Sequence, residues 1–284
     1  MSRLRFVLCA DDYGMTPAVS RGILEVAAAG RISAASAMSS MPDWERAARA
    51  WRSAAPAVDL GLHVVLTVGA PLGPMPRLAP AGVLPPAARL VPTALARALP
   101  LDEIEAEIGR QIDAFVACYG APPVHVDGHQ HVHALPGVRA ALFAALRSRG
   151  LADALVRDSA DRLSRLAARG AMAAKATQVR TLTAGFRRAA RRAGFALNDG
   201  FAGFSDFSPR RYGADLFASY LKAPGARHLV MCHPGHVDAD LVALDPVTEA
   251  REAEWAWLMS AEFVALLERR GAALVRQETW LNRP

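Results

Sequence analysis

Short apolar runs that stop abruptly at acids or histidines recur along this chain, and that pattern limits the fold more than any other feature. Leu4 to Cys9 ends beside Asp11-Asp12, Val58 to Leu66 carries His63, Val124 to Val126 leads into a histidine cluster, and Leu229 to Cys232 enters His233-Pro-Gly-His236. Runs of this length and composition read as strands buried on both faces. Ile32 to Met38, Ala154 to Val156 and Ala272 to Arg276 read as further strands. Helical signals lie between them. Thr16-Pro17 supplies a cap and a proline at the first helical position, Val19, Ile23 and Val26 follow at helical spacing, and Gly30 is a stop. Trp44 to Ala54 and Pro136 to Arg149 also read as helices. From Leu101 to Cys118, Ile104, Ile108, Ile112 and Phe115 recur at three and four, with Glu103, Glu105 and Glu107 between them. Glu252 to Arg269 reads as one long final helix.

Strands alternating with helices imply an α/β protein with a largely parallel sheet. Roughly six strand–helix units favour a single (β/α) barrel, distorted and TIM-like, over an open sheet. We read residues 1–284 as one barrel domain. Residues 69–100, rich in Pro and Gly, read as a long irregular excursion, a kind of segment that often serves function. With 52% hydrophobic residues the chain can bury a large core without disulfides. Its three cysteines, Cys9, Cys118 and Cys232, show no Cys-x-x-Cys pattern and read as reduced thiols. The apolar run Phe6 to Ala10 is too short for a signal peptide, and no stretch reaches the length of a membrane span. The expected location is the cytoplasm. The oligomeric state is not fixed, and a homo-oligomer is compatible with the sequence.

The formal charge of +6 is unevenly placed. Residues 157–192 hold ten Lys/Arg against Asp158 and Asp161, a local balance of +8 that leaves −2 for the rest. We read this Arg/Ala-rich segment as a solvated helical insertion in the barrel. Such a stretch also suits an acidic substrate or an anionic surface. Phe186 is its only aromatic, so no stacking platform for nucleic acid is expected.

The chemistry lies at the strand ends, which share one face of a barrel. Two adjacent carboxylates, Asp11 and Asp12, cannot both ionise cheaply in a buried site without a cation. A divalent metal would let one bind while the other handles protons. Taken alone, the pair also suits an Asx turn before the following helix, and His63 alone suits a hydrogen-bonded core residue. The stretch His125-Val-Asp-Gly-His-Gln-His-Val-His133 is stronger evidence. Period two would set His125, Asp127, His129, His131 and His133 on one face of a strand until the chain turns. Each buried imidazole needs a partner, and metal binding is the economical reason to assemble them. Four histidines cannot all ligate one ion, so some orient ligands or touch substrate. His233 has the near-neutral titration that a proton donor to a leaving group requires.

With Ala10-Asp-Asp-Tyr-Gly14, Gly61-Leu-His-Val-Val-Leu-Thr67, His125 to His133 and Cys232-His-Pro-Gly235 in this order, the sequence resembles the YdjC-like family, the ChbG/HpnK carbohydrate deacetylases. The likeness covers nearly the whole chain and is weakest from about Arg157 to Arg211. It implies a polysaccharide-deacetylase type of barrel, one divalent metal held by Asp12, His63 and His129, and removal of an acetyl group from an N-acetylated sugar, chito-oligosaccharide-like or lipid-linked. Zinc or magnesium is the expected ion, with manganese, cobalt and nickel also compatible.

On this reading Asp11 takes a proton from the attacking water and His233, as imidazolium, protonates the departing amine. Asp127 orients a ligand imidazole, and the roles of Asp11 and Asp12 are open to exchange. A metal-dependent phosphoesterase would release phosphate instead of acetate. A non-catalytic sugar-binding protein would bind without turnover.

Overall fold

The computed structural model describes residues 4–54, 56–170 and 172–281. Its strands are β1 (Leu4–Tyr13), β2 (Ala34–Ala37), β3 (Asp59–Val64), β4 (His125–Gly128), β5 (Leu155–Val156), β6 (Ala196–Leu197), β7 (Gly200–Ala202), β8 (His228–Cys232) and β9 (Ala272–Leu274). They form one sheet in the order β6-β5-β4-β3-β2-β1-β8-β7, with β9 beside the start of β1. Every pairing is parallel. The sheet curls into a distorted (β/α) barrel. Its path ends at β6 and β7 rather than closing through a strand pair. There the buried Asn198 side chain spans the gap. It accepts from the Asp158 amide at 2.7 Å and donates to the carbonyls of Asp158 (2.9 Å) and Gly200 (3.1 Å).

Burial on both faces explains the unbroken apolar runs. Along β1, Phe6, Leu8 and Ala10 join the large core between sheet and helices. Val7 and Cys9 point the other way, into the barrel, against Ala34, Leu155, Phe201, Leu229 and Met231. The barrel interior is tight. A Cβ on Gly61 would lie 2.4 Å from the ring of His125, so glycine there makes room for that imidazole.

The helices Pro17–Ala28, Trp44–Ala54, Leu101–Tyr119 and Val138–Ser148 lie where their periodicities placed them. Thr16 caps the first by accepting from the Val19 amide. Three expectations change. The final helix is two, Glu249–Met259 and Ala261–Arg269, because Ser260 adopts an extended conformation and its hydroxyl caps the second by accepting from Phe263. The excursion 69–100 contains the helix Ala87–Leu95, which tolerates Pro92 in its interior. The histidine row does not stay on a strand. β4 ends at Gly128, and positive φ at Gln130 (53°) and His131 (61°) turns the chain through a 3-10 segment, His129–Ala134. Residues 157–192 run between β5 and β6 as the helices Leu163–Arg169, Ala173–Leu182 and Phe186–Arg192, apart from residue 171.

Candidate metal centre

Adjacent residues of a strand normally face opposite ways. Asp11 and Asp12 escape this because the β1–β2 register slips between Ala10 and Tyr13 and Asp12 takes a φ of +72°. Such bulges re-aim side chains, and aspartate tolerates the left-handed region better than most residues. Both carboxylates therefore enter one buried cluster at the carboxyl ends of the strands, Asp11 2% and Asp12 1% exposed.

Asp12 meets the two expected histidines. Its Oδ1 lies 3.2 Å from His63 Nε2 and 3.0 Å from His129 Nδ1. The three side chains offer ligand atoms within 4.8 Å of one another. Asp12 Oδ2 accepts from Arg251 Nη2 at 2.7 Å. Arg251, from the helix Glu249–Met259, also reaches Asp245 Oδ2 at 3.0 Å. Burial would lift the Asp12 carboxyl, but Arg251, His129 and His63 hold it well below the usual carboxylate range.

Asp127 stands behind His63, with its Oδ1 2.7 Å from His63 Nδ1. A proton on Nδ1 serves that contact, so a cation that displaced the proton on Nε2 would meet its lone pair on the side of Asp12. Burial would push the His63 imidazole down, yet Asp127, Asp12 and Asp11 outweigh it and raise it to about 10. The pocket thus holds positive charge strongly, as a proton or as a cation. Two imidazole nitrogens and one carboxylate oxygen, with His63 oriented by Asp127 and Asp12 by Arg251, fit a divalent ion.

Asp11 is held apart from this set. Arg157 forks onto it, Nη1 to Oδ2 at 2.6 Å and Nη2 to Oδ1 at 2.7 Å. The same guanidinium contacts Asp127 Oδ2, which also accepts from the Ser36 hydroxyl at 2.6 Å. Sequence reasoning assigned a metal to relieve the Asp pair. In the structure two buried arginines share that task, one per carboxylate.

His233 follows β8, with Nε2 4.0 Å from Asp11 Oδ2 and a side chain 16% exposed. Burial lowers its imidazole to about 4, against the pull of Asp12 and Asp11. Burial thus works against the imidazolium form expected of a proton donor. The other histidines of the cluster lie outside the three-residue donor set. His125 Nε2 bonds the Ser36 hydroxyl (2.9 Å) inside the barrel. His131 packs its ring on Phe201 and Phe204. His133 donates from Nε2 to the Arg157 carbonyl (2.8 Å) and lies edge-on to Phe186. Burial lowers all three, His133 to about 4.

Arg157, Arg251, Glu254 and Ser36 were missed. Arg157 was counted only as surface charge, although it directly follows the run Ala154 to Val156, where the strand-end rule applies. Arg251 and Glu254 share the inward helix face with Leu258, at spacings of three and four that the sequence displays.

The strand ends of this curled parallel barrel thus gather paired acids, two histidines and a further histidine in one largely buried cluster. The chain matches the family model described as YdjC-like protein over residues 5–269 and belongs to that family. Relatives named chitooligosaccharide deacetylase include one from Klebsiella pneumoniae (strain 342), 30% identical over 94% of this chain and 96% of its own length. Another, from Enterobacter sp. (strain 638), is 37% identical over 46% of this chain, a match spanning about half (51%) of that relative. A solved structure from Enterococcus faecalis V583, named for cellobiose-phosphate cleavage, superposes with a TM-score of 0.76 at 23% identity over 98% of this chain and 99% of its own. That likeness speaks for the fold.

Proposed function

We propose that this protein is a metal-dependent carbohydrate N-deacetylase that hydrolyses the acetamide of an N-acetylated sugar, chito-oligosaccharide-like or lipid-linked, to acetate and a free amine. The observation that carries the reading is the division of labour in the acid pair. Asp12 shares an oxygen with His63 and His129, while Asp11 stands beside them, locked by Arg157. The names of the relatives support the same reaction.

Asp12, His63 and His129 would hold the ion, zinc or magnesium by preference, with manganese, cobalt or nickel also suited to the donors. A bound divalent ion supplies Lewis acidity for water and for a carbonyl oxygen. The chain's own residues supply the proton traffic. Asp11, fixed by the Arg157 fork, accepts the proton of the attacking water. Burial works against the imidazolium form of His233, so the proton it gives to the departing amine reaches it during turnover. Asp11 Oδ2 lies 4.0 Å from His233 Nε2, a separation that one water would have to bridge for the proton to pass on. Asp127 keeps the His63 ring in register through Nδ1. Cytoplasmic residence belongs to the same reading, since Cys9, Cys118 and Cys232 are free thiols. Among the described residues, no helix is long and apolar enough to cross a membrane.

A phosphoesterase is favoured by one separate feature, a cavity of about 470 Å³ lined by Arg162, Arg180, Arg187 and Arg191 together with Asp158 and Asp161. The deciding experiment is product release from a panel of N-acetylated sugars and their phosphate esters, with and without chelator, for wild type and Asp11→Asn. Acetate release that needs the ion and is lost in Asp11→Asn is expected. Acetate release that survives metal removal overturns the scheme, and phosphate release selects the second reading.

A further inference from the structure

The helix Glu249–Met259 reaches the centre twice. Arg251 bonds Asp12, and one turn later Glu254, 4% exposed, points its carboxyl at the loop that follows β8. Glu254 Oε2 accepts the backbone N–H of His233 at 2.7 Å. Two residues on, the amide of Gly235 donates to the Arg251 carbonyl at 3.2 Å. The loop is pressed from its other side by the helix Pro17–Ala28. His236 donates its amide to the Ala18 carbonyl at 3.3 Å, and a Cβ on Gly22 would lie 2.7 Å from the Gly235 Cα. His233 thus projects toward Asp11 from a loop clamped between two helices. A buried carboxyl is costly unless it is hydrogen-bonded, and among the described residues its hydrogen bond goes to the residue that carries the proton-donating ring.

We propose that Glu254 is a positioning residue for the reaction, its carboxyl group fixing the His233 backbone and thereby the height of that imidazole over Asp11. The role rests on the deacetylase reading for its kinetic consequence, but the placement of His233 does not. Burial raises the Glu254 carboxyl to about 8, against the His233 N–H and Arg251. The group is therefore largely neutral at pH 7, and glutamine matches its shape, its charge and its acceptor oxygen.

The test compares wild type, Glu254→Ala and Glu254→Gln as metal-loaded full-length protein. The measurements are kcat and KM for acetate release, divalent ion per chain, and the His233 ring resonances in ¹⁵N-labelled protein. Glu254→Ala is expected to lose kcat by roughly 100-fold with KM within about twofold, the scale set by misplacing a reacting group. Ion content stays unchanged and the His233 resonances move. Glu254→Gln restores kcat to within about threefold of wild type at pH 7. Should Glu254→Ala not yield folded protein, Glu254→Leu, which fills the space without an acceptor, is read in its place. Unmoved His233 resonances, an unchanged kcat, loss of the ion together with activity, or glutamine no better than alanine would each overturn the proposal. If wild type releases no acetate, the deacetylase reading falls, and the resonances still decide the placement.

Discussion

Arg251 Nη2 lies 2.7 Å from Asp12 Oδ2, while His63 and His129 approach only Oδ1 of the same carboxylate. The guanidinium therefore fixes which oxygen is offered to the histidine pair, and it reaches across from a helix 239 residues further along the chain.

Asp12→Asn should reveal both uses of that carboxylate. Retained divalent ion, measured by elemental analysis after dialysis, is expected to fall at least roughly tenfold. Urea unfolding should show a loss of about 2 kcal/mol, since one charged hydrogen bond of Arg251 disappears while Asp245 keeps another. Full retention of the ion would remove Asp12 from the donor set.

Arg157 is fully buried between Asp11 and Asp127. Arg157→Met strips Asp11 of its fork and leaves Asp127 to His63 and Ser36, and should destabilise the fold by roughly 3–5 kcal/mol. Arg157→Lys keeps the charge but loses the fork that holds Asp11 by both oxygens. It should fold better than the methionine variant yet lower kcat by roughly 100-fold. Equal stability of the methionine variant and wild type in denaturant titrations would contradict the pairing.

Removing the ion should be visible without any substrate. A ligand bound only by the native state adds stability, about 2.7 kcal/mol at a free concentration one hundred times its Kd. Chelator is expected to lower the melting temperature of wild type and to leave Asp12→Asn unmoved. Re-addition of zinc or magnesium should restore the wild-type value, and the more effective ion identifies the preferred one.

Glu254 gives a pH signature of opposite sign to most carboxylates. Its pKa is raised in the folded state, from 4.5 to about 8. The stability linked to it is fully present below the unfolded value and is lost as pH rises through the folded one. Glu254→Gln has no such loss. Its stability relative to wild type should therefore climb from pH 5 to pH 9, by a few kcal/mol. A constant difference across that range would show that the carboxyl does not titrate as described.

His133 and His228 predict the acid side. Burial lowers both to about 4. Their neutral forms are favoured by the fold, so the stability they contribute is complete above the unfolded value near 6.5 and is lost as pH falls through about 4. Replacing His228, whose Nε2 donates to the Tyr220 carbonyl at 2.8 Å, with glutamine should flatten part of that decline in melts between pH 7 and pH 4.

Much of this was legible because buried parallel strands write themselves as apolar runs and strand ends collect polar chemistry. Leu4 to Cys9, His63 and Leu229 to Cys232 were readable on those grounds. β6 and β7 were not, since two or three residues carry no periodicity. Where the strand face of the histidine cluster ends was not readable, because consecutive left-handed residues at Gln130 and His131 leave no mark in their side chains. Arg157 and Arg251 stayed hidden for a different reason. A charge is assigned to solvent by default, and only the fold reveals the carboxylates that justify burying it.

The gap at Asn198 has a consequence for how such a protein can diversify. Asp12, His63 and His129 sit on or just beyond β1, β3 and β4, in the middle of the strand order, whereas β6 and β7 are its free ends. Lengthening the chain at either end changes the rim without re-registering the strands that carry the donors. The barrel separates a central cluster held in fixed register from two edges whose length is free to vary.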